Sequence, residues 1–578
     1  MKTFFSFLLV LIFLSGSTFA QDSAPFNNFP KTSAGQLMAW IFFKDKGPDN
    51  EALLAKPQQF LSRRALERRR VRRPGSPLVE YSDLPVFAGY IDLIKPFVQK
   101  IRVKSRWLNA VSVEANASNL RHIAQLSCVL KIDPIALGHA PLPPETRPVP
   151  TSRLKKAKAV NDSLPYGVSA KQLDLIHVPF LHQKGFYGKN VLICMLDDGV
   201  NLLGGHEALR RVKILATHDF IHGDDLINDT GIKAYEGWHG TMTLSVIAGY
   251  APDVLIGPAF EATFILAKTE IDQYERPIEE DYWVAGIEWG DSLGADIVSS
   301  SLGYIDWYTP ADMDGETAKT TIAADMAAEK GILVFNSAGN EGDNPDHNTL
   351  IAPADGKKVL AVAATDRYGI RASFSSVGPS ADGRIKPDIA AMGASVIVAD
   401  SKDSSGYRYS SGTSFSCPLA AGGTALLLQA FPTAPAQLVI KALKSTASQA
   451  NFPDKYLGWG LIDLEKAYQY LDTAVVRPSP HVSELEFLPV RNNPGNRYVE
   501  FAYRVKYPSA AELRIYDMLG RRIHFPSLRV HLLEAEQLYV ERINTSHLAG
   551  GTYVARLAIR ELGTGRIIRK SQKFVVLH

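Results

Sequence analysis

The chain has 578 residues, 46% of them hydrophobic, and 63 Lys and Arg stand against 60 Asp and Glu for a net charge of +3. So balanced a surface excludes the strongly basic character of a nucleic-acid binder, and the length implies several domains with apolar content enough for substantial cores. Cys128, Cys194 and Cys417 are too few and too scattered for a disulfide framework and read as buried thiols.

Residues 1–20 open with Lys2, continue through an apolar run over 4–14 and end in small residues up to Ala20. That run is about half of the roughly 20 residues a bilayer helix needs, so 1–20 reads as a secretory signal peptide. No later stretch is apolar and long enough to span, and the exported protein is expected to be soluble, either secreted or at the cell surface.

Residues 34–140 alternate in type. A strand is expected at 40–43, helices at 58–73, 92–100 and 117–126, and strands at 107–113 and 128–132, the pattern of a small α+β unit. The helix at 58–73 crowds Arg63, Arg64, Arg68, Arg69, Arg70, Arg72 and Arg73 around Glu67. A solvated face is the expectation there, with a nucleic-acid patch as the alternative. At 138–163 the composition shifts to Pro, Thr and Lys, including Pro141, Pro143, Pro144, Pro148 and Pro150, and 141–163 reads as a protease-accessible linker.

The central part, 164–474, carries short apolar runs at 191–196, 264–267, 296–302, 332–335, 359–363 and 395–399, with helical segments such as 283–293 and 317–330 between them. This is α/β alternation: a parallel sheet with helices on both faces, whose chemistry lies beyond the carboxyl ends of the strands. Asp197 stands at one such end. His239 begins a helical segment, and Asn340 closes the turn after the strand at 332–335. Ser414 lies in Gly412-Thr413-Ser414-Phe415-Ser416-Cys417-Pro418, ahead of an apolar, small-residue segment that reads as a fully buried helix. Each residue has an ordinary reading as a turn or cap. Independent turns and caps would rarely fall in the order Asp, His, Ser within one α/β unit. The chemistry suggested is a serine nucleophile with His239 as base, Asp197 as its orienting acid and Asn340 as oxyanion donor.

Leu196-Asp197-Asp198-Gly199-Val200, His239-Gly240-Thr241 with Ile247-Ala248-Gly249, Ala338-Gly339-Asn340 and Gly412-Thr413-Ser414 with Pro418 resemble the four site motifs of the subtilisin-like serine peptidases. Ser373-Phe374-Ser375-Ser376-Val377-Gly378-Pro379 and Lys386-Pro387-Asp388-Ile389 are also similar to that family, over roughly 300 residues in all. The resemblance implies a secreted endopeptidase that cleaves proteins through an acyl-enzyme. No cofactor is required for the chemistry; structural calcium is a family expectation, and the sequence assigns no metal site. It further implies that Ser301-Leu302-Gly303 pairs with an extended substrate and that Ser337-Ala338-Gly339 lines the pocket for the side chain before the cleaved bond. Asp198, Phe415 and Leu419 depart from the family's commonest residues. Asp198 could perturb Asp197 or point into solvent, and solvent is the expectation.

Residues 34–140 resemble the family's inhibitory prodomain, chiefly at Arg63-Arg64-Ala65-Leu66-Glu67-Arg68 and Trp107-Leu108-Asn109-Ala110-Val111-Ser112-Val113, which implies a zymogen cut between 138 and 167. In 475–578, strands expected at 499–506, 511–517, 537–543, 552–558 and 567–576 read as a small β-sandwich. Asn493-Pro494, Ile515-Tyr516-Asp517-Met518-Leu519-Gly520-Arg521 and Leu548-Ala549-Gly550-Gly551-Thr552-Tyr553 resemble the sorting domains of type IX secretion, which implies secretion machinery as a partner. An accessory carbohydrate- or protein-binding sandwich is the alternative. A monomer with protein substrates and no nucleic acid is expected. Two rivals are a catalytically silent binding or adhesion protein on the same scaffold and an esterase-like hydrolase, whose Gly-x-Ser-x-Gly elbow the chain does not offer at Ser414.

Overall fold

The computed structural model describes residues 26–135, 164–474 and 485–576, apart from 27–28, 49, 229–236, 272–275, 488–490, 493–497, 506–508, 526–530, 534–537 and 562–566. The expected signal peptide, the linker at 141–163 and Asn493-Pro494 lie outside the described residues. The chain divides into two units, Met1–Leu471 and Asp472–His578.

In the first unit an antiparallel sheet is built from β1 (Leu37–Phe43), β2 (Lys100–Ser105), β3 (Ala110–Ala115) and β4 (Val129–Pro134), in the order β2-β3-β1-β4. Helices α1 (Arg63–Arg72) and α2 (Ala117–Ala124) accompany it. β2 lies where a helix was expected to finish: the helix at Ala88–Ile94 gives way to a short turn containing Pro96, and the chain is then extended from Lys100. Trp107 falls in the β2–β3 turn, and its buried indole packs with Trp283 and Ala324 in the core of the larger domain.

The arginine-rich α1 corrects the solvated-face expectation. Ser62 caps it, accepting from the Ala65 N–H at 3.1 Å. Ala65, Arg68, Arg69 and Arg72 share one face at helical spacing, and all four are buried. That face meets α4 (Glu279–Leu293) of the central domain. Asp291 on α4 accepts from Arg68 at 2.6 Å, Arg69 at 2.7 Å and, from the β2–β3 turn, Arg106 at 2.6 Å. In return Lys330 of the central domain reaches Asp83 at 2.9 Å, which also holds Arg69 at 2.7 Å. Burial alone would raise the Asp291 carboxyl; Arg68, Arg69 and Arg106 hold it well below the usual carboxylate range.

The central domain is organised by a seven-stranded parallel sheet in the order β11-β10-β9-β8-β5-β7-β6. Its strands are β5 (Leu192–Asp197), β6 (Lys213–Asp219), β7 (Thr263–Lys268), β8 (Ile297–Ser300), β9 (Leu333–Ser337), β10 (Leu360–Thr365) and β11 (Ile389–Met392). Most read as apolar runs because helices cover both faces. On one face α4 and α5 (Lys319–Glu329) bury Cys194, Leu196, Val298 and Val334. On the other lie α3 (Trp238–Ala248) and α6 (Thr413–Ala430), where Cys417 Sγ meets Ser299 Oγ at 3.9 Å. All three cysteines are free and buried.

Two assignments differ from the sequence reading. The run at 395–399 lies outside the main sheet, as β12 (Val396–Ala399) paired antiparallel with β13 (Tyr407–Ser410), and the sheet edge is β11 instead. Edge strand β6 gave no apolar run because six of its seven residues are exposed or half-buried.

The second unit is strand-rich, as expected. Tyr498–Val505 pairs with Leu538–Asn544 in one antiparallel sheet; Ser509–Asp517, Gly551–Glu561 and Ile567–Val576 form the body of another. Phe501, Tyr503, Ile515, Leu557 and Phe574 from both sheets share one core, so the two sheets are the layers of a sandwich. Burial alternates along Ser509–Asp517, the period-2 signature by which these strands were legible.

Removing the acceptor shared by three arginines, of which Arg68 and Arg69 are buried, leaves uncompensated charge. Asp291→Ala, in a full chain carrying Ser414→Ala, is expected to lose about 3–5 kcal/mol in urea unfolding, while Glu67→Ala, at an exposed ion pair, leaves the midpoint unchanged.

Candidate active site

The parallel register brings the candidate residues to one edge of the sheet. Leu196 on β5 pairs with Ser300 on β8, which pairs with Asn336 on β9. Asp197, Ser301 and Ser337 are therefore the next residues out on three adjacent strands, all at carboxyl ends.

Asp197 is buried, and its carboxylate is fully directed. Oδ1 faces His239 Nδ1 at 2.6 Å and accepts the Asp198 N–H at 3.0 Å; Oδ2 accepts from Thr243 Oγ1 at 2.9 Å. Thr243 stands four residues after His239 on α3, so both side chains leave the same helical face. An acid that holds Nδ1–H leaves Nε2 as the imidazole's proton acceptor.

Asp198 corrects the solvent expectation. It is 2% exposed. Its Oδ2 accepts the His239 N–H at 3.0 Å and its Oδ1 the Gly240 N–H at 2.6 Å. Residue Gly237, at the start of α3, makes no side-chain cap, so Asp198 supplies the anion at that helix start from another element. The approach is too close for any other residue at 240: a Cβ there would stand 2.0 Å from the Gly199 carbonyl oxygen. Burial opposes charge on the His239 imidazole, but the charge and hydrogen bond of Asp197, with the charge of Asp198 behind them, raise it to about 9. Near the same strand ends, buried Glu270 takes the Tyr304 hydroxyl. Burial, together with neighbouring Glu279, pushes the Glu270 carboxyl well above the usual range.

Ser414 opens α6, and Ser301 Oγ donates to its carbonyl at 2.9 Å. The Ser414 hydroxyl in turn donates to the Ser301 carbonyl at 3.3 Å instead of to His239. Phe415 packs its ring 6.3 Å from that of His239. Asn340 is exposed, and its amide is oriented by Thr413, whose N–H and Oγ1 meet Oδ1 at 2.8 and 3.0 Å. With Oδ1 so engaged, the Nδ2 donor is the end left for a ligand. Gly339 takes φ +115, and a Cβ there would stand 2.6 Å from Ser376 Oγ. Cys417, three residues beyond Ser414, is no rival nucleophile, since burial pushes its thiol up to about 12.

Asp197, Asp198 and His239 are also the group among the described residues with donor atoms within 4.8 Å of one another. Their oxygens already meet N–H and O–H donors, the signature of an oriented imidazole. Thr243 and Thr413 were not anticipated; only the i, i+4 spacing from His239 signalled the former. The stretches expected to pair with substrate, Ser301-Leu302-Gly303, and to line the pocket, Ser337-Ala338-Gly339, are tied together by Asn336, whose Nδ2 donates to the carbonyls of Leu302 and Ser337, each at 2.9 Å.

The chain is similar to known proteins. The family profile described as "Subtilase family" matches residues 188–460, and that of "Peptidase S8 propeptide domain, Bacteroidota" matches 38–147. Subtilisin DY of Bacillus licheniformis is 31% identical over 319 residues, covering 53% of this chain and 99% of that protein. Fervidolysin of Fervidobacterium pennivorans is 26% identical over 435 residues, covering 68% of this chain and 59% of that protein. Among solved structures, the MycP3 protease from the type VII (ESX-3) secretion system superposes with a TM-score of 0.43 at 21% identity, over 54% of this chain and 90% of that chain.

An imidazole must be neutral to accept a proton. With His239 raised to about 9, kcat/KM on a peptide amide is expected to climb through neutral pH towards that value. Asp198→Asn is expected to move this acid limb down by about one pH unit, the scale of one lost neighbouring charge, in a pH–rate profile.

Proposed function

The chain belongs to the subtilase family, and from that premise we propose that Asp197, His239 and Ser414 are its catalytic triad, with Asn340 as the side-chain donor to the oxyanion. The protein is a serine endopeptidase made as a zymogen with its own propeptide. The observation that carries the residue assignment is the 2.6 Å contact of His239 Nδ1 with Asp197, made at the strand edge where Ser414 and Asn340 also lie.

In the proposed reaction the Ser414 hydroxyl turns from the Ser301 carbonyl towards His239 Nε2, which takes its proton as Oγ bonds to the scissile carbonyl carbon. The resulting oxyanion receives hydrogen bonds from Asn340 Nδ2 and the Ser414 N–H, at the start of α6 where backbone amides lack intrahelical partners. Collapse breaks the C–N bond, and the amine leaves with the proton held by His239. Water then adds to the acyl-enzyme by the same base, regenerating Ser414. Asp197 holds the tautomer and stabilises the imidazolium. No cofactor takes part, and any structural calcium would act on loop stability alone.

We assign 1–20 to a signal peptide, 34–140 to the inhibitory prodomain, 141–163 to the processing region, 164–474 to the peptidase domain and 475–578 to a sorting-like sandwich. Lys2, the apolar run over 4–14 and the small residues before Ala20 support export. The Ile515–Arg521 and Leu548–Tyr553 stretches support recognition by type IX secretion machinery. No helix among the described residues is long and apolar enough to cross a membrane. Backbone pairing to Ser301-Leu302-Gly303 would serve many protein substrates.

A fluorophosphonate probe is expected to label Ser414 in the processed protein, seen by peptide mapping, and to leave Ser414→Ala unlabelled; an unlabelled processed wild type would sink the triad. Asn340→Ala should lower kcat by about 10²–10³ with KM little changed. N-terminal sequencing of the mature form should read a start between 138 and 167.

A further inference from the structure

The triad accounts for bond cleavage but leaves open which bonds are cut, and Ile351 bears on that choice. On the catalytic reading above, a carbonyl carbon attacked by Ser414, with its oxygen towards Asn340, would send its side chain between Ser301-Leu302-Gly303 and Ser337-Ala338-Gly339. Ser414 Oγ already touches the first wall at Ser301, and Asn340 follows directly on the second. Both walls present glycine to Ile351. A Cβ on Gly303 would stand 2.1 Å from Ile351 Cδ1 and 2.4 Å from Cγ1; one on Gly339 would stand 3.0 Å from Cγ2 and 3.2 Å from Cγ1. A single side chain therefore touches the backbone of both walls.

The wedge is held in place. Ile351 N–H donates to the Ala338 carbonyl at 3.4 Å, on the second wall. Its neighbour Ala352 exchanges backbone hydrogen bonds with Tyr304, next to Gly303, at 2.8 and 3.0 Å. Asn336 sets the spacing of the walls from behind. Leu350 before it and Ala352 after it are fully buried, while Ile351 itself is half-buried. A β-branched side chain on so constrained a backbone has little rotamer freedom with which to withdraw.

We propose that Ile351 sets the primary specificity of this peptidase, shortening the slot between the two walls so that small uncharged side chains, alanine above all, are accepted before the cleaved bond. An aromatic ring, or a long Lys or Arg side chain, would have to displace the wedge. The inference rests on the catalytic reading above and adds to it the substrate class.

The test uses processed enzyme, titrated at Ser414 with the fluorophosphonate so that only folded, competent sites are counted. Fluorogenic peptides differ solely at the residue before the scissile bond: Ala, Leu, Phe or Lys. Wild type is expected to favour Ala over Phe in kcat/KM by about tenfold to a hundredfold, the range that pocket sterics supply. Ile351→Gly should raise Phe cleavage about tenfold while holding Ala within about threefold. Ile351→Ala, gentler on the backbone, should fall between them. A wild type that prefers Phe or Lys, or an Ala-to-Phe ratio unchanged in both variants, overturns the role of Ile351 while labelling at Ser414 leaves the triad standing. Absence of wild-type labelling overturns the catalytic reading, and the specificity inference with it.

Discussion

Everything at the site depends on where β5 stops. Asp197 is the last residue of a strand buried on both faces, and the parallel neighbours β7 and β8 fix its height in the sheet. Its carboxylate can then meet His239, Thr243 and its own neighbour's N–H at once, so neither oxygen is left to choose a partner. The adjacent carboxylate, Asp198, turns to the same helix but to its backbone. One pair of consecutive acids thus fixes both the imidazole and the helix that carries it. Two anions so near one imidazole are tolerable because each is met by N–H or O–H donors.

The N-terminal unit meets the peptidase domain through buried charge instead of through a broad apolar face alone. Asp291 receives three guanidinium groups, and the exchange is mutual, since Lys330 crosses in the other direction to Asp83. Buried ion pairs of this kind contribute little net stability relative to an apolar seam, but they penalise every misregistered docking by an unpaired charge. That suits a propeptide, which must dock in one orientation on one helix. Trp107 and Trp40 extend the same interface, the former in the central core and the latter through its indole N–H to Asp281 at 2.5 Å.

The substrate side of the site follows from strands that separate after pairing. β8 and β9 are in register at Ser300 and Asn336, and the residues just beyond them become two walls. What stands between the walls comes from a third segment, around Ile351, pinned to both. On the proposed reading chemistry and selectivity are separated: the candidate triad stands at strand ends and at the starts of α3 and α6, and the proposed specificity residue in a loop.

Much of this was open to reading along the chain. Strands with both faces covered announce themselves as apolar runs, and amphipathic ones by alternation, because those periods are local properties of the backbone. The order of Asp197, His239, Asn340 and Ser414, each at the end of an element, singled out the candidate site without coordinates. What the sequence could not show is which partner answers a given face. The arginines of α1 looked like a solvated stripe because the carboxylate that buries them lies more than 200 positions away. Asp198 looked like a solvent-facing acid because its acceptors are matched by amides 41 and 42 residues downstream. Edge strand β6 lacked an apolar run for want of a second covering layer, and Ile351 carried no motif at all. Local chemistry determined the elements and the candidate nucleophile; only the packing of distant segments decided which charges were buried, which helix was capped and what Ile351 touches, because burial and pairing are properties of both surfaces in a contact and a sequence displays them one at a time.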